Sequence, residues 1–462
     1  MDKRAQRTWV LTGSLVGCLA LGGTLMLLPP ERPAGPPPAP GPAAAHARTA
    51  VTTGVPAALP DLAALIGERQ AHLRDHPKDA RSWAVLGAAY VEQGRRTGSA
   101  AAHYPKAEQA LRTSLKVRPR GNAEALDGMA ALANARRDYP AARTWAQAAL
   151  RADGARWTSY PLLIDACAGL GDHQAVGRAL DRMLRLGSGP RVRAWAAAVY
   201  RDQGRREDAA AALADAVAGA RAPAERAAWL ERAGQLAWER GDREVALRYF
   251  QEAVRTDPDQ RAAQAGQGRV LAALGRTSEA LSAYRIALAK QPLPQYALEL
   301  GELYESLGLG HAARVQYDLL RERVRDAAAG GVDESLVLGR FEADHGDPEA
   351  AVRRLRSEWE RQPGMAVADA LGWALHRAGE HEEALWFARR TMDPERGGGV
   401  RSAPYAFHLG MIEKELGQDG PARRHLSEAL RINPYFSPLL VPQAREALEE
   451  LGEVPEDEDV PE

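Results

Sequence analysis

The sequence predicts an all-α solenoid, in which similar helical hairpins stack one after another along the chain. Two observations lead to this prediction. The segments 229–258 and 264–292 are written in one pattern, and their closing prolines lie 34 residues apart. The glycines Gly241 and Gly275, which interrupt the two segments, repeat at the same distance. A period of this length is typical of repeats built from two helices.

Each position of the repeated unit has a physical reason. Small residues such as Ala246 let two antiparallel helices approach closely, while Phe250 fills the same helical face one turn later. Gly241 supplies a backbone conformation that ends the first helix. Pro258 cannot continue the second helix, because it lacks an amide donor. A single hairpin cannot bury its apolar face alone, so we expect neighbours on both sides.

Composition narrows the classes of function. The chain has 462 residues, 60 basic against 61 acidic, and a net charge of −1, which gives no electrostatic reason to expect nucleic acid as a partner. Its two cysteines are Cys18, inside an apolar run, and Cys167, inside a predicted helix. The sequence therefore predicts neither a disulfide framework nor a cysteine-rich metal site.

The N-terminus carries a membrane signal. Residues 8–28 are uncharged and predominantly apolar, and Lys3, Arg4 and Arg7 precede them. A run of this length spans a bilayer, and the basic flank predicts that everything after Leu28 lies outside the cytoplasm. We therefore expect a single-pass protein of the cell membrane with an extracytoplasmic repeat domain.

Two other interpretations of this segment remain open. Leu15-Val16-Gly17-Cys18 resembles a lipobox, which would make the protein a lipoprotein acylated at Cys18. A cleaved secretory peptide ending at residues 45–47 is the third. All three place the bulk of the chain outside the cytoplasm.

The rest of the chain divides at changes of composition. The predicted segments are a cytoplasmic stub and transmembrane signal anchor (1–28), a Pro/Ala-rich linker (29–60), an N-terminal helix capped by Asp61 (61–78), a repeat array (79–392), a Gly-rich loop that is either a hinge or a tolerated insertion (393–402), a last repeat with a capping helix (403–452), and an acidic tail expected to be disordered (453–462). Residues 94–105 are expected to form a lengthened turn in the first repeat.

The repeated positions identify a family resemblance. Trp83, Leu86, Gly87 and Tyr90 follow the order large, large, small, aromatic, and later hairpins repeat it, as at Leu409-Gly410. From about Asp79 to Pro434 the chain resembles the tetratricopeptide repeat (TPR) family, of a membrane-anchored bacterial type. This resemblance implies a right-handed superhelix of about ten hairpins.

Catalytic motifs are not found. No lysine follows a glycine anywhere, which excludes a Walker-type phosphate loop. Gly308-Leu309-Gly310 imitates a dinucleotide fingerprint, but it lies between two helices with no preceding strand. His376 and His381 fit neither zincin spacing. We therefore expect no enzyme activity, cofactor, bound metal or small-molecule substrate.

The resemblance also implies a binding surface, because in this family the first helix of each hairpin lines the concave face. The corresponding positions here are Arg201, Glu231, Gln235, Trp238, Glu239, Arg269, Glu302, Glu305, Arg340, Trp373, His376, Arg377, Phe407 and Lys414. Among them, Trp238, Trp373 and Phe407 are candidate aromatic anchors, although each could instead pack within the array. The Lys/Asn pairs with which some members clamp a terminal carboxylate are absent.

The sequence thus predicts a non-catalytic scaffold that binds a protein or an extended peptide in its concave groove. An alternative is an extracytoplasmic assembly or maturation factor. Residues 62–77 followed by 78–94 are similar to the repeat module of cytochrome c biogenesis proteins.

Overall fold

The computed structural model describes residues 41–394 and 399–452, and within these residues helices are joined by turns and no strand is present. Its 23 helices are α1 (Pro42–Thr53), α2 (Leu59–Asp75), α3 (Ala80–Thr97), α4 (Ala100–Val117), α5 (Ala123–Ala135), α6 (Tyr139–Ala152), α7 (Ser159–Gly169), α8 (His173–Leu186), α9 (Pro190–Asp202), α10 (Arg206–Gly219), α11 (Pro223–Glu239), α12 (Arg243–Thr256), α13 (Arg261–Ala273), α14 (Thr277–Lys290), α15 (Pro294–Ser306), α16 (Gly310–Ala329), α17 (Ser335–His345), α18 (Pro348–Arg361), α19 (Met365–Arg377), α20 (His381–Met392), α21 (Ala403–Glu415), α22 (Asp419–Ile432) and α23 (Leu440–Leu451). The predicted anchor, the first part of the linker and the acidic tail lie outside the described residues. None of the described helices has the length and hydropathy needed to cross a bilayer.

Ten hairpins, from α3/α4 to α21/α22, form the predicted solenoid. In each, the first helix packs against its partner, and most second helices pack against the next first helix. Capping side chains and glycines mark the starts and ends of the helices. Asp138 and Asp172 accept hydrogen bonds from backbone N–H groups at the starts of α6 and α8, which satisfies donors that the helix itself leaves free. Gly241 and Gly275 have φ of 80° and 73°, as expected of residues that end a helix.

Helices of a hairpin are held close by a glycine opposite a large ring. Gly301 in α15 faces Tyr317 in α16, and a Cβ on that glycine would lie 2.3 Å from the tyrosine ring. Gly268 and Tyr284 repeat this contact in the preceding hairpin, where the corresponding distance is 2.6 Å. The predicted close approach of small residues is therefore present, and only glycine leaves room for it.

An additional N-terminal hairpin, α1/α2, precedes these ten, which corrects the prediction that residues 29–60 are a linker. Ala44, Ala47 and Ala50 are buried, and α1 packs against both α2 and α3. Alanine has the highest helix propensity and is small enough to pack closely, so the Ala-rich segment forms a helix instead of a spacer. Asp61 does not cap the next helix, because α2 begins two residues earlier and places it in the first turn.

The lengthened turn expected at residues 94–105 is also wrong. Helix α3 continues to Thr97 and α4 begins at Ala100, so the turn is short and the helices are long. Pro105 lies inside α4, where it forfeits one backbone hydrogen bond. Tyr104 beside it is 4% exposed, and burial of this ring helps to hold the helix despite that loss.

Successive turns of the superhelix touch one another. Gln291 Nε2 donates to the Arg95 carbonyl at 2.8 Å across 196 positions, and Asn433 Nδ2 donates to the Trp238 carbonyl at 2.8 Å across 195 positions. Arg136 Nε donates to the Gly330 carbonyl at 3.0 Å across 194 positions. Since the repeat is 34 residues long, the solenoid returns upon itself after between five and six hairpins.

The C-terminal end follows the predicted plan closely. Helix α23 packs on α22 and buries Val441, Ala444 and Ala447, so it covers the apolar face of the last hairpin. Part of the Gly-rich segment 393–402 lies outside the described residues. Gly399, within its described part, contacts Gln203 in the turn between α9 and α10.

Candidate functional site

All fourteen predicted positions lie on first helices, and most of their side chains contact the next first helix. Arg201 Nε and Nη2 donate to the Glu239 carboxylate at 2.7 and 2.8 Å. Gln235 donates to the same carboxylate at 3.0 Å and accepts from Arg269 Nη1 at 2.8 Å. Arg269 in turn donates to Glu299 at 2.9 Å. These links connect α9, α11, α13 and α15 in a row that we call the polar ladder.

The polar ladder continues through the later hairpins. His345 Nδ1 lies 3.2 Å from Glu305, and its Nε2 lies 3.7 Å from Glu302. Burial alone would lower the pKa of His345, but the two carboxylates outweigh burial and raise it. His408 Nδ1 lies 2.8 Å from Asp369 and so joins α21 to α19. The ladder therefore uses most of the predicted charges to hold consecutive hairpins together.

The three predicted aromatic anchors are buried instead of facing a groove. Trp238 is 5% exposed, Trp373 4% and Phe407 0%. Trp373 Nε1 donates to Asp344 at 2.9 Å, and its ring stacks on His408 with centroids 4.4 Å apart. Burial supports the alternative interpretation, that these rings pack within the array, because first helices bury two faces, one against their own partner helix and one against the next hairpin.

The remaining predicted residues are less constrained. Arg340 forms no ion pair with the described residues, and Arg377 is exposed beside Asp344 at 3.8 Å. Lys414 Nζ lies 2.5 Å from Glu450 on the terminal helix. His376 contacts His381, Nδ1 to Nδ1, at 3.1 Å. Burial lowers the pKa of His376 to about 4, and the positive charge of Arg377 acts in the same direction.

The first superhelical turn encloses a cavity of about 620 Å³, which we call the chamber. Its walls come mainly from the first helices α3, α5, α7, α9 and α11, and residues 51–56, at the end of α1 and just after it, close one side. A Cβ on Gly54 in that segment would lie 4.0 Å from the ring of Trp195 on α9, so the N-terminal hairpin approaches the opposite wall. The volume is within the range of ligand sites in proteins, and apolar atoms make up most of the lining.

Most charges in the chamber wall are paired. The pairs are Arg95 with Glu92, Arg96 with Asp257, Arg156 with Asp127, Arg201 with Glu239, Arg261 with Asp259, and Glu124 with Arg81. Three lining residues are not paired. Asp165, Glu231 and Arg232 have no ion-pair partner within 4.0 Å among the described residues.

Enclosure by protein alters the titration of these three residues. Asp165 is exposed inside the chamber, but the surrounding protein replaces bulk water and raises the pKa of its carboxyl to about 6, against a smaller opposing effect of Arg232. The pKa of Glu231 is raised for the same reason. Loss of water lowers the pKa of Arg232, whose guanidinium lies over the rings of Trp195 and Trp229 at 4.7 and 5.0 Å.

Sequence reasoning found Glu231 but missed Asp165, Arg232, Trp195 and Trp229. Asp165 lies in the third hairpin, whose repeat pattern is degenerate because Cys167 stands where an aromatic is usual. A firm alignment of that hairpin would have placed Asp165 on the concave side of α7. Trp195 and Trp229 carry no signal that distinguishes them from core aromatics.

The described residues hold no cluster of three or more His, Cys, Asp or Glu side chains suited to a metal ion. Cys167 is buried, and burial raises the pKa of its thiol.

Comparison with solved structures finds similar chains of low sequence identity. A tetratricopeptide repeat protein from Parabacteroides merdae is 16% identical over 58% of this chain and 100% of that one, with a TM-score of 0.34. A human IFIT1 dimer with PPP-AAAA is 15% identical over 80% and 88%, with a TM-score of 0.43. Yeast Tom70 is 11% identical over 79% and 96%, with a TM-score of 0.34.

No curated protein matches the chain. The sequence profile of the tetratricopeptide repeat family matches residues 231–293 and 267–328 in two overlapping copies, which include nearly all of the two segments that define the period. The ten hairpins extend this arrangement on both sides of the matched residues. Residues 231–328 are therefore tetratricopeptide repeats, and the hairpins on either side of them have the same two-helix architecture.

Proposed function

We propose that this protein is a non-catalytic scaffold that binds a segment of a partner protein in the chamber of its first superhelical turn. Tetratricopeptide repeats suggest protein partners. The chamber is the observation that carries the proposal, because it combines an apolar lining with three unpaired charges. Most side chains of the polar ladder already have partners, so they offer less to a ligand.

Filling the chamber tests this proposal. Ala198 lines the chamber on α9, and Ala198→Phe should reduce its volume. The probe is a library of capped hexapeptides, assayed for binding to the full-length chain by fluorescence polarisation. We expect a subset of peptides to bind and Ala198→Phe to weaken their binding about tenfold, which corresponds to about 1.4 kcal/mol.

A matched control is Ala289→Phe, which adds the same ring to an exposed position of α14 outside the chamber. Its affinity for the selected peptides should equal that of the wild type. If no hexapeptide binds, or if both variants bind as the wild type does, the chamber is not the binding site.

We also propose that residues 8–28 tether the protein to the cell membrane as a signal anchor, with the repeat array outside the cytoplasm. The support is the uncharged run and the basic residues Lys3, Arg4 and Arg7 before it. A cysteine introduced at the exposed position Glu449 should react with an impermeant thiol reagent in whole cells. Reaction only after lysis would contradict this orientation, and incorporation of a labelled fatty acid that Cys18→Ala abolishes would establish the lipoprotein alternative.

A further inference from the structure

The chamber contains an uneven set of unpaired charges. Among the described lining residues whose charges lack an ion-pair partner, Asp165 and Glu231 are acidic and only Arg232 is basic. Two negative charges therefore face one positive charge, which leaves a single negative charge uncompensated. The other charged lining residues all have ion-pair partners, some within the lining and some, as for Arg96, Arg201 and Glu124, just outside it. The excess therefore belongs to the three residues on α7 and α11.

Arg232 is not arranged to neutralise either carboxylate directly. Its guanidinium lies over Trp195 and Trp229, at 4.7 and 5.0 Å from the ring centroids, and the negative faces of the rings stabilise its charge there. No carboxylate oxygen of a described residue lies within 4.0 Å of it. Asp165 and Glu231 are thus available to another cation.

An unpaired carboxylate enclosed by protein weakens folding, because the charge loses contact with bulk water. Side chains that lower stability in this way are characteristic of binding sites, where a ligand supplies the missing partner. The ion pair of Arg95 with Glu92 at 2.9 Å, whose arginine also acts on Glu231, shows that this surface accommodates paired charges.

We propose that the chamber binds a basic side chain of the partner segment, arginine or lysine, with Asp165 and Glu231 as its acceptors. This inference rests on the proposed function, since it names the chemistry that the peptide site selects. The occupant is identified by charge complementarity with the one uncompensated negative charge. The apolar lining suits the long aliphatic stems of these side chains, which pack on nonpolar surface while their charged ends are paired.

The test sorts the capped hexapeptide library by residue at each position and measures binding to the full-length chain. Pools with arginine or lysine at one position should bind about tenfold more tightly than pools with glutamine or glutamate there. Asp165→Asn and Glu231→Gln should each reduce this preference severalfold, and the double variant should abolish it. High salt should weaken the basic pools more than the neutral ones.

Stability distinguishes a binding role from a structural one. Because Asp165 and Glu231 are unpaired, both variants should melt no earlier than the wild type at pH 7.5, even though they bind less tightly. Asp181→Asn is the control, since this exposed carboxylate on α8 lies outside the chamber and has no ion pair among the described residues. It should leave the basic preference unchanged.

Two results would overturn the inference. One leaves the proposed function intact, and the other rejects it as well. Equal binding of basic and neutral pools, with Ala198→Phe still weakening both, would retain the peptide site and reject the basic side chain. An absence of binding by every pool would reject the proposed function and this inference together.

Discussion

At the scale of single residues, the concave side of the array separates into paired and unpaired side chains. Arg201, Glu239 and Arg269 are bound to their neighbours in the polar ladder. Asp165 and Glu231, which line the chamber, have no ion-pair partner among the described residues. Position on a first helix therefore does not by itself make a residue available to a ligand. A residue is available only when no neighbouring side chain already pairs with it.

Trp373 illustrates how burial changes the expected effect of a mutation. Its ring is 4% exposed and contacts Phe407 and His408, so Trp373→Ala should cost about 3 to 5 kcal/mol of unfolding free energy. Trp386→Ala is the control, because that ring is 54% exposed on the next helix. Thermal melting compares the two variants. An equal fall in melting temperature would place Trp373 outside the core.

Asp165 predicts a specific dependence on pH. Its pKa is about 6 in the folded protein and 3.8 in the unfolded chain, so the folded state holds the proton more tightly. Its contribution to stability is complete below about pH 3.8 and is lost as the pH rises through about 6. Asp165→Asn should therefore melt later than the wild type at pH 7.5, and the gap should narrow towards pH 4. A constant gap across this range, measured by thermal melting, would contradict the assignment.

At the scale of helices, the hairpin is held by close contacts between small and large residues. Ala280 is fully buried in α14, whereas Ala289 near the end of the same helix is exposed. Ala283, three positions beyond Ala280, is also buried at 8% exposure, so both alanines of this turn belong to the core.

Ala280→Leu should destabilise the array by about 1 to 3 kcal/mol, because three extra carbon atoms have no room between α13 and α14. Ala289→Leu adds the same atoms to the exposed side and should change stability by less than about 0.5 kcal/mol. Urea denaturation followed by circular dichroism measures both. Similar midpoints for the two variants would show that α14 has a different orientation.

At the scale of the whole molecule, contacts between superhelical turns add to contacts between adjacent hairpins. Arg96 on α3 and Asp257 after α12 form a buried ion pair at 2.6 Å across 161 positions. Arg137 and Glu334 make a comparable link across 197 positions. Both contacts hold the turns of the solenoid together, and the pair of Arg96 with Asp257 also closes the chamber on the side of the sixth hairpin.

Arg96→Met should cost about 3 to 5 kcal/mol, since it leaves the carboxylate of Asp257 buried without a partner. The double variant Arg96→Met/Asp257→Asn removes the stranded charge and keeps an acceptor for the Asp259 backbone N–H, 3.0 Å away. It should recover much of the loss, as judged by melting temperature. A double variant no more stable than Arg96→Met would mean that the ion pair does not link the turns.

Much of the array was predictable from the sequence. The 34-residue period, the glycine turns and the terminating prolines are local features, and they determine helices and hairpins through backbone conformation and contacts between neighbours. The ten hairpins and the terminal capping helix follow from them. The concave positions were also placed on the correct helices, because hairpin periodicity alone assigns a residue to a first or a second helix.

Only the tertiary structure decided which side chains at those positions lack a partner and are available to a ligand. Small rotations between repeats accumulate over five to six hairpins, and no local pattern contains their sum. That sum brings Gln291 against Arg95, directs Gly54 towards Trp195, and encloses Asp165 and Glu231 in one chamber. It also brings Asn433 against α11, where its side-chain amide donates to the backbone carbonyl of the buried Trp238 at 2.8 Å. The sequence by itself determined the repeating unit, whereas the chamber and its unpaired charges exist only where distant units meet.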